Sequence, residues 1–145
     1  MKIVELNKTD LSQIRPLWEE LNELHGKLSN HFQDHFQSFS FKARLRQIEE
    51  KESFSVFAAK DNSKCVGYCI ASVENQVGEI DSIYIDPEHR SKKVGKSLIN
   101  AAESWLNSKD ISKIHVSVAE GNESVFGFYN KHRYYQRYTV LEKKA

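Results

Sequence analysis

Four cations crowd the start of one helical pattern. In Asp86-Pro87-Glu88-His89-Arg90-Ser91-Lys92-Lys93-Val94-Gly95-Lys96-Ser97, a strand-like run ends at Pro87 and a helix opens near Lys93. Arg90, Lys92, Lys93 and Lys96 all fall between these points or in the first turn. A helix N-terminus already carries about half a positive charge, so cations there are unfavourable. The pattern makes sense if an anion docks on the helix start and meets both the side chains and the free backbone N–H groups. Gly95 lets a backbone or ligand approach closely, and Ser91 and Ser97 add hydroxyl donors. The ligand this implies carries phosphate. A solvated basic loop is the plain alternative, and the placement after a strand and at a helix start argues against it.

Other residues with chemical potential are less telling. Glu79 and Asp81 lie in the strand leading to the basic loop. Two residues apart, they share a face if the strand is regular, and a bulge would break that parity. His25, His31 and His35 recur with Phe32, Phe36 and Phe39, at spacings of six and four residues that are not diagnostic of a metal site; pocket lining or surface positions are expected, and no metal. Glu19, Glu20, Glu23 and Asp34 would attract a cationic amine or simply form the wet face of a helix. Cys65 and Cys69 lie on one strand-like run, about 13 Å apart if extended. That separation is too long for a disulfide, and free thiols suit a reducing cytoplasm.

The elements that must position these groups follow from periodicity. Lys2 to Leu6 alternates as a first strand. Asp10 offers an N-cap to a helix whose stripe runs through Leu11, Ile14, Leu17, Trp18, Leu21, Leu24 and Leu28, with Pro16 expected to kink it. Residues 30–39 read as a mobile connection, and a second helix is expected from Ser40 to Lys51. Strands follow at 54–59, 65–73 and 79–86, with turns at Asp61-Asn62-Ser63 and Asn75 to Gly78. A helix is expected from Lys93 to Asn107, a strand from Lys113 to Val118, a helix from Asn122 to Lys131 capped by Asn122, and a last strand from Tyr134 to Leu141. The 145 residues fit one domain spanning 1–145. The order is that of an α/β domain with a mixed sheet.

Composition excludes several classes. With Lys plus Arg at 21 and Asp plus Glu at 20, the net charge of +1 gives no bulk attraction to nucleic acid or anionic membrane. Charges interrupt the N-terminus, and no run approaches the roughly 20 apolar residues of a membrane helix, so the chain is expected in the cytoplasm.

At this point the sequence resembles the GNAT superfamily of N-acetyltransferases, whose signature Arg/Gln-x-x-Gly-x-Gly/Ala opens a helix after the fourth strand. Arg90, Gly95 and the following helix match it, with Lys93 standing where the first glycine is usual. Glu79 to Pro87 looks like the family's fourth strand, and Asn122 to Tyr129 like its last helix. Arg133 replaces the glycine that usually follows that helix. The likeness is good from Phe54 to the end and is one of layout only in the N-terminal third.

The resemblance implies a GNAT-like mixed, mostly antiparallel six- or seven-stranded sheet flanked by about four helices. It implies acetyl-CoA as co-substrate and a primary amine, of a small molecule or a peptide, as acceptor. The pyrophosphate would lie on Arg90, Ser91, Lys92, Lys93, Val94, Gly95, Lys96 and Ser97. The backbone of Ile83, Tyr84 and Ile85 would pair with the pantetheine arm, and Asn122 would hold its amide. Tyr129 is the implied acid for the leaving thiol, and Glu79 or Asp81 the implied base. The acceptor pocket would come from the first two helices and their connection. A homodimer through the sheet or the C-terminal strand is also implied. A non-catalytic acyl-CoA-binding module on the same fold is the alternative.

Overall fold

In a computed structural model, residues 1–145 are described apart from the side chains of Ser91 and Lys92. One five-stranded sheet runs in the order β1 (Lys2–Glu5), β2 (Ser53–Asp61), β3 (Lys64–Glu74), β4 (Val77–Ile85), β5 (Lys113–Val116). The first four strands are antiparallel neighbours and β5 is parallel to β4. A parallel pair needs a crossover. Here α4 (Val94–Asn107) supplies it and buries Leu98, Ile99, Ala102 and Leu106 on one face of the sheet. The other face is covered by α1 (Arg15–Leu28) and α3 (Phe41–Glu49), through Leu17, Trp18, Phe41 and Ile48 against Val56, Tyr68 and Ile70.

Local chemistry explains the joints. Asn75 and Gln76 both have positive φ, 51° and 63°, which is the two-residue turn whose twist matches a hairpin. Ser40 caps α3 by accepting from the Ala43 N–H. Pro16 does not kink α1. It stands in the first turn, where its missing N–H costs nothing, and a separate 3-10 turn at Leu11–Ile14 precedes it, with no side-chain cap from Asp10.

Three further expectations change. The connection at 30–39 contains a short helix, α2 (Gln33–Ser38), tied to α1 by the Asn22 amide, which donates to the carbonyls of Phe36 at 2.8 Å and Phe39 at 3.3 Å. The last helix divides into a 3-10 turn at Glu123–Val125 and α5 (Phe126–Lys131), and Asn122 makes no side-chain cap. Tyr134 to Leu141 is not a strand: the sheet ends at β5, and among the described residues no strand pairs with this segment. The sheet therefore has five strands where six or seven were expected, and there are five α-helices where about four were.

Candidate functional site

The site begins with a register break. Ile70 faces Ser82 while Ala71 faces Ile80, so Asp81 is an extra residue in β4. β5 pairs with β4 only from Val77 to Ile80. Beyond the bulge, the outer edge of β4 has no strand beside it. The Asp86 N–H donates to the Val66 carbonyl at 2.8 Å, toward β3. Main-chain groups alternate sides along a strand, so those of Ile83 and Ile85 point to the open edge and those of Tyr84 point to β3. Ile85 gives its carbonyl to Arg90 Nε at 3.0 Å. Tyr84, expected to pair with a ligand through its backbone, contributes its ring instead, 5.1 Å below the Arg90 guanidinium.

This open edge leads into the basic loop. Its 3-10 turn, Pro87–Lys92, is pinned by His89, which is only 9 % exposed. His89 Nε2 lies 3.3 Å from Asp61 in the β2–β3 hairpin, and Nδ1 lies 3.4 Å from Asp86 without hydrogen-bond geometry. Sequence reasoning missed this anchor, because Asp61 is close only once the hairpin forms. Lys93 then takes φ 60° and ψ 22°, the left-handed conformation, directly before α4. It keeps the turn that glycine makes easily. Lys93 and Lys96 are exposed at the helix start, as is Ser97, while Val94 is buried. The first N–H groups of α4 have no intrahelical acceptor and remain available to an anion. Gly95 also packs closely inside the protein: a Cβ there would sit 2.8 Å from the Phe128 ring and 3.1 Å from Ile85. It seats α5 against α4. The contributions expected of Ser91 and Lys92 lie outside the described side chains.

The left-handed lysine permits a simple check. Lys93→Gly is expected to raise stability by about 1 kcal/mol, since glycine adopts that turn without the Cβ penalty. Urea denaturation reads it. A loss of stability would mean that the Lys93 stem is needed for packing.

Tyr129 is buried and belongs to the core cluster on the α4 face, against which Ile83, Ile85 and Phe128 pack. Burial pushes its phenol well above the ordinary value, with the Cys69 thiol adding to the effect. Among the described residues its hydroxyl has no hydrogen-bond partner. It is a protonated donor without a fixed acceptor.

Glu79 and Asp81 do come together. Both reach Lys51, just after α3: Nζ is 3.2 Å from Glu79 Oε1 and 2.9 Å from Asp81 Oδ1. The Asp81 side chain is 0 % exposed and that of Glu79 is 32 % exposed. Burial raises the Asp81 carboxyl and the Glu79 carboxylate adds to this, while the neighbouring Ser72 hydroxyl and Lys51 oppose it. Asp81 Oδ2 and the Ser72 hydroxyl are buried beside each other without good hydrogen-bond geometry to any group. Arg44 of α3 donates to the Asp81 carbonyl at 2.8 Å and so satisfies the bulge. No hydrogen bond or ion pair among the described residues links this group to Tyr129.

His31 and His25 tie the loop after β5 to α1 and the residues that follow it. Glu120 accepts from Ser29 Oγ at 2.7 Å and the His31 N–H at 3.0 Å, and also pairs with the His31 ring. Asn122 Nδ2 lies 3.4 Å from His25 Nε2. Burial lowers the His25 pKa. Among the described residues no group of three or more His, Cys, Asp or Glu is placed to hold a metal. A groove of about 700 Å³ between α1 and α2 is lined by Trp18, Glu19, Asn22, Glu23, Phe36 and Phe39 among others. Glu19 and Glu23 are paired with Arg15 and Lys27 one helical turn away, as on a wet helix face.

Residues 15–134 match the model of the acetyltransferase (GNAT) family. The chain belongs to the GNAT acetyltransferase family. Among curated relatives, an acetyltransferase of Pectobacterium atrosepticum is 29% identical over 52% of this chain and 54% of its own length. A spermidine N(1)-acetyltransferase of Thermoplasma acidophilum is 26% identical over 74% of this chain and 72% of its own. The chain thus spans about half the length of the first of these. A BH1408 variant from Bacillus halodurans has the same fold, with a TM-score of 0.80, 19% identity and full coverage of both chains. An aminoglycoside N-acetyltransferase, AAC(6')-Iy, in complex with CoA superposes with a TM-score of 0.73 at 18% identity, over 99% of this chain and 98% of its own. The fold is thus shared with little sequence in common. Two left-handed residues, Lys93 and Arg133 (φ 67°), stand where the family pattern has glycines, so the backbone turns are kept although the residue types are not.

Proposed function

We propose that this chain moves an acetyl group from acetyl-CoA to a primary amine by direct attack. The observation that carries the reading is the unpaired edge of Ile83 and Ile85 running into a cationic helix start. The pantetheine amides would pair with that edge as a further strand, and the phosphates would meet Arg90, Lys93, Lys96 and the α4 N–H groups. Asn122, buried beside His25, would hold a pantetheine amide.

The chemistry has three parts. An alkylamine has a pKa near 10.4, so about one in 2,000 is neutral at pH 7. Glu79 or Asp81 would take the ammonium proton, directly or through water. As the N–C bond forms, an outward N–H of β4 steadies the thioester oxygen. The C–S bond then breaks, Tyr129 protonates the leaving thiolate, and the second proton lost from the acetylated nitrogen restores the phenol, directly or through water. The relatives act on spermidine and on aminoglycosides, by their names, which supports a cationic acceptor for this chain. Nucleic acid and membrane are not among its partners in this reading. Among the described residues no helix is long and apolar enough to cross a membrane, and two unpaired cysteines accord with a cytoplasmic setting.

Calorimetric titration of acetyl-CoA, CoA and dephospho-CoA tests the cofactor site, and thiol release with spermidine or sisomicin tests transfer. Micromolar binding with amine-dependent CoA release is expected. Binding without release across an amine panel would favour an acyl-CoA sensor, and no binding would sink both readings.

A homodimer belongs to the same proposal. Of the exposed large hydrophobic residues, Tyr135, Tyr138, Val140 and Leu141 all lie in the unpaired C-terminal segment, beside a sheet that ends at β5. A free strand edge and a free apolar strand-like segment are complementary. Sedimentation is expected to give a dimer that a truncation after Tyr134 converts to monomer. A monomeric full-length chain would refute this.

A further inference from the structure

The carboxylate pair beside the bulge is not left to solvent. Lys51 projects from the three residues that join α3 to β2 and touches both acids, although it shares no element with either. We propose that Lys51 is the positioning residue of the proton-accepting site: it holds Glu79 and Asp81 together as an ionised pair and sets the pH at which they can take the acceptor's proton. This rests on the reading that one of these acids is the base.

Charge arithmetic gives the reason. Asp81 is fully enclosed and Glu79 is its near neighbour, so two negative charges would share one small site. Without a cation, one of a close carboxylate pair holds its proton to a higher pH. Lys51 is the cation that touches both. Arg44 also lies against them, its guanidinium engaged with the Asp81 carbonyl and with Gln47, and from β5 the titratable His115 stands opposite Glu79 in the strand register. From β3 the neighbours are Ser72, which is neutral, and the Cys69 thiol, which is raised by burial and by Asp81 and so stays protonated. Burial works to lower the Lys51 pKa, but Asp81 and Glu79 outweigh it and raise it. Lys51 is therefore a firmly held ammonium and not itself a nucleophile. The unpartnered Asp81 Oδ2 is the oxygen left over by this arrangement.

The test is a carbon-13 titration of the Asp81 carboxyl in the wild type, Lys51→Met and Lys51→Arg, with the pH–rate profile of acetyl transfer to spermidine or sisomicin measured alongside. Removing a cation within 4 Å is expected to move the Asp81 titration upward by about one unit or more. The acid limb of the rate profile should move with it, so that turnover on that limb falls about tenfold. Lys51→Arg should restore most of both. Methionine keeps the stem, and circular dichroism with acetyl-CoA titration checks that the variant folds. An Asp81 titration unmoved in Lys51→Met, or a uniform loss of rate at every pH, would overturn the proposal and leave Lys51 a packing residue. If Glu79→Gln and Asp81→Asn both keep the acid limb, the base reading itself fails, and this inference with it. If either removes the limb while Lys51→Met does not shift it, only this inference fails.

Discussion

Tyr129→Phe is expected to lose about 100-fold in turnover while binding acetyl-CoA with unchanged affinity. The substitution removes one oxygen from a buried ring and leaves the ring's contacts with Phe128 and Tyr134 in place. Among the described residues that hydroxyl has no partner to lose, so little change in stability should follow. Burial keeps the phenol protonated throughout the physiological range, as a proton donor must be. The same burial makes it a weak acid. That is tolerable because a thiolate expelled into a dry site is also more basic than in water, where a thiol titrates near 8.5. The CoA thiolate is a fair leaving group unaided, so the effect belongs at the low end of the range for general acids, about 10²–10⁴. Thiol release at saturating amine measures turnover, and calorimetry measures affinity. Wild-type turnover in Tyr129→Phe would remove the acid role, whereas a parallel loss of affinity would make Tyr129 part of the binding wall.

Most of the scaffold could be read from the chain because its period is local. The alternation in Lys113 to Val116 and the apolar stripe of α4 need no partner to be recognised. The basic helix start was equally legible, since four cations in a place that disfavours them are an anomaly within a single segment. The misreadings concern what depends on distant residues. Whether Tyr134 to Leu141 forms a strand is decided by a pairing partner, and propensity alone promised one. That Gly95 also packs against Phe128, more than 30 positions away, was out of reach in the same way. The parity of Glu79 and Asp81 survived because the bulge begins at Asp81 and not before it. Lys51 and His89 escaped notice for the same reason: each is an unremarkable surface residue type until α3 or the β2–β3 hairpin brings its acids alongside.

Gly121→Ala should be the most damaging conservative change in the chain, lowering stability by about 3 kcal/mol or more. Gly121 has φ 91°, a conformation that side chains rarely adopt. A Cβ built there would lie 2.1 Å from the Leu28 carbonyl oxygen and 2.5 Å from its carbon. These are backbone atoms at the end of α1, so no rotamer change relieves the clash. The cost also spreads, because Gly121 lies between Glu120 and Asn122. These two tie the loop after β5 to Ser29, His31 and His25. Gly127→Ala is the control: nothing lies within 4 Å of its Cβ position, and alanine in α5 should stabilise by about 0.5–1 kcal/mol. Urea denaturation of the two variants reads the contrast, and equal stabilities would show that the Leu28 contact yields easily. A pH series adds a second signature. The hydrogen bonds from His31 and Ser29 hold Glu120 down at about 2, against an ordinary value of 4.5. A depressed carboxyl contributes stability that is fully present above about pH 4.5 and is lost as pH falls toward 2. With the loop displaced, Gly121→Ala should lose that dependence. Its stability would then fall less steeply than the wild type's between pH 4.5 and 2, although it starts lower.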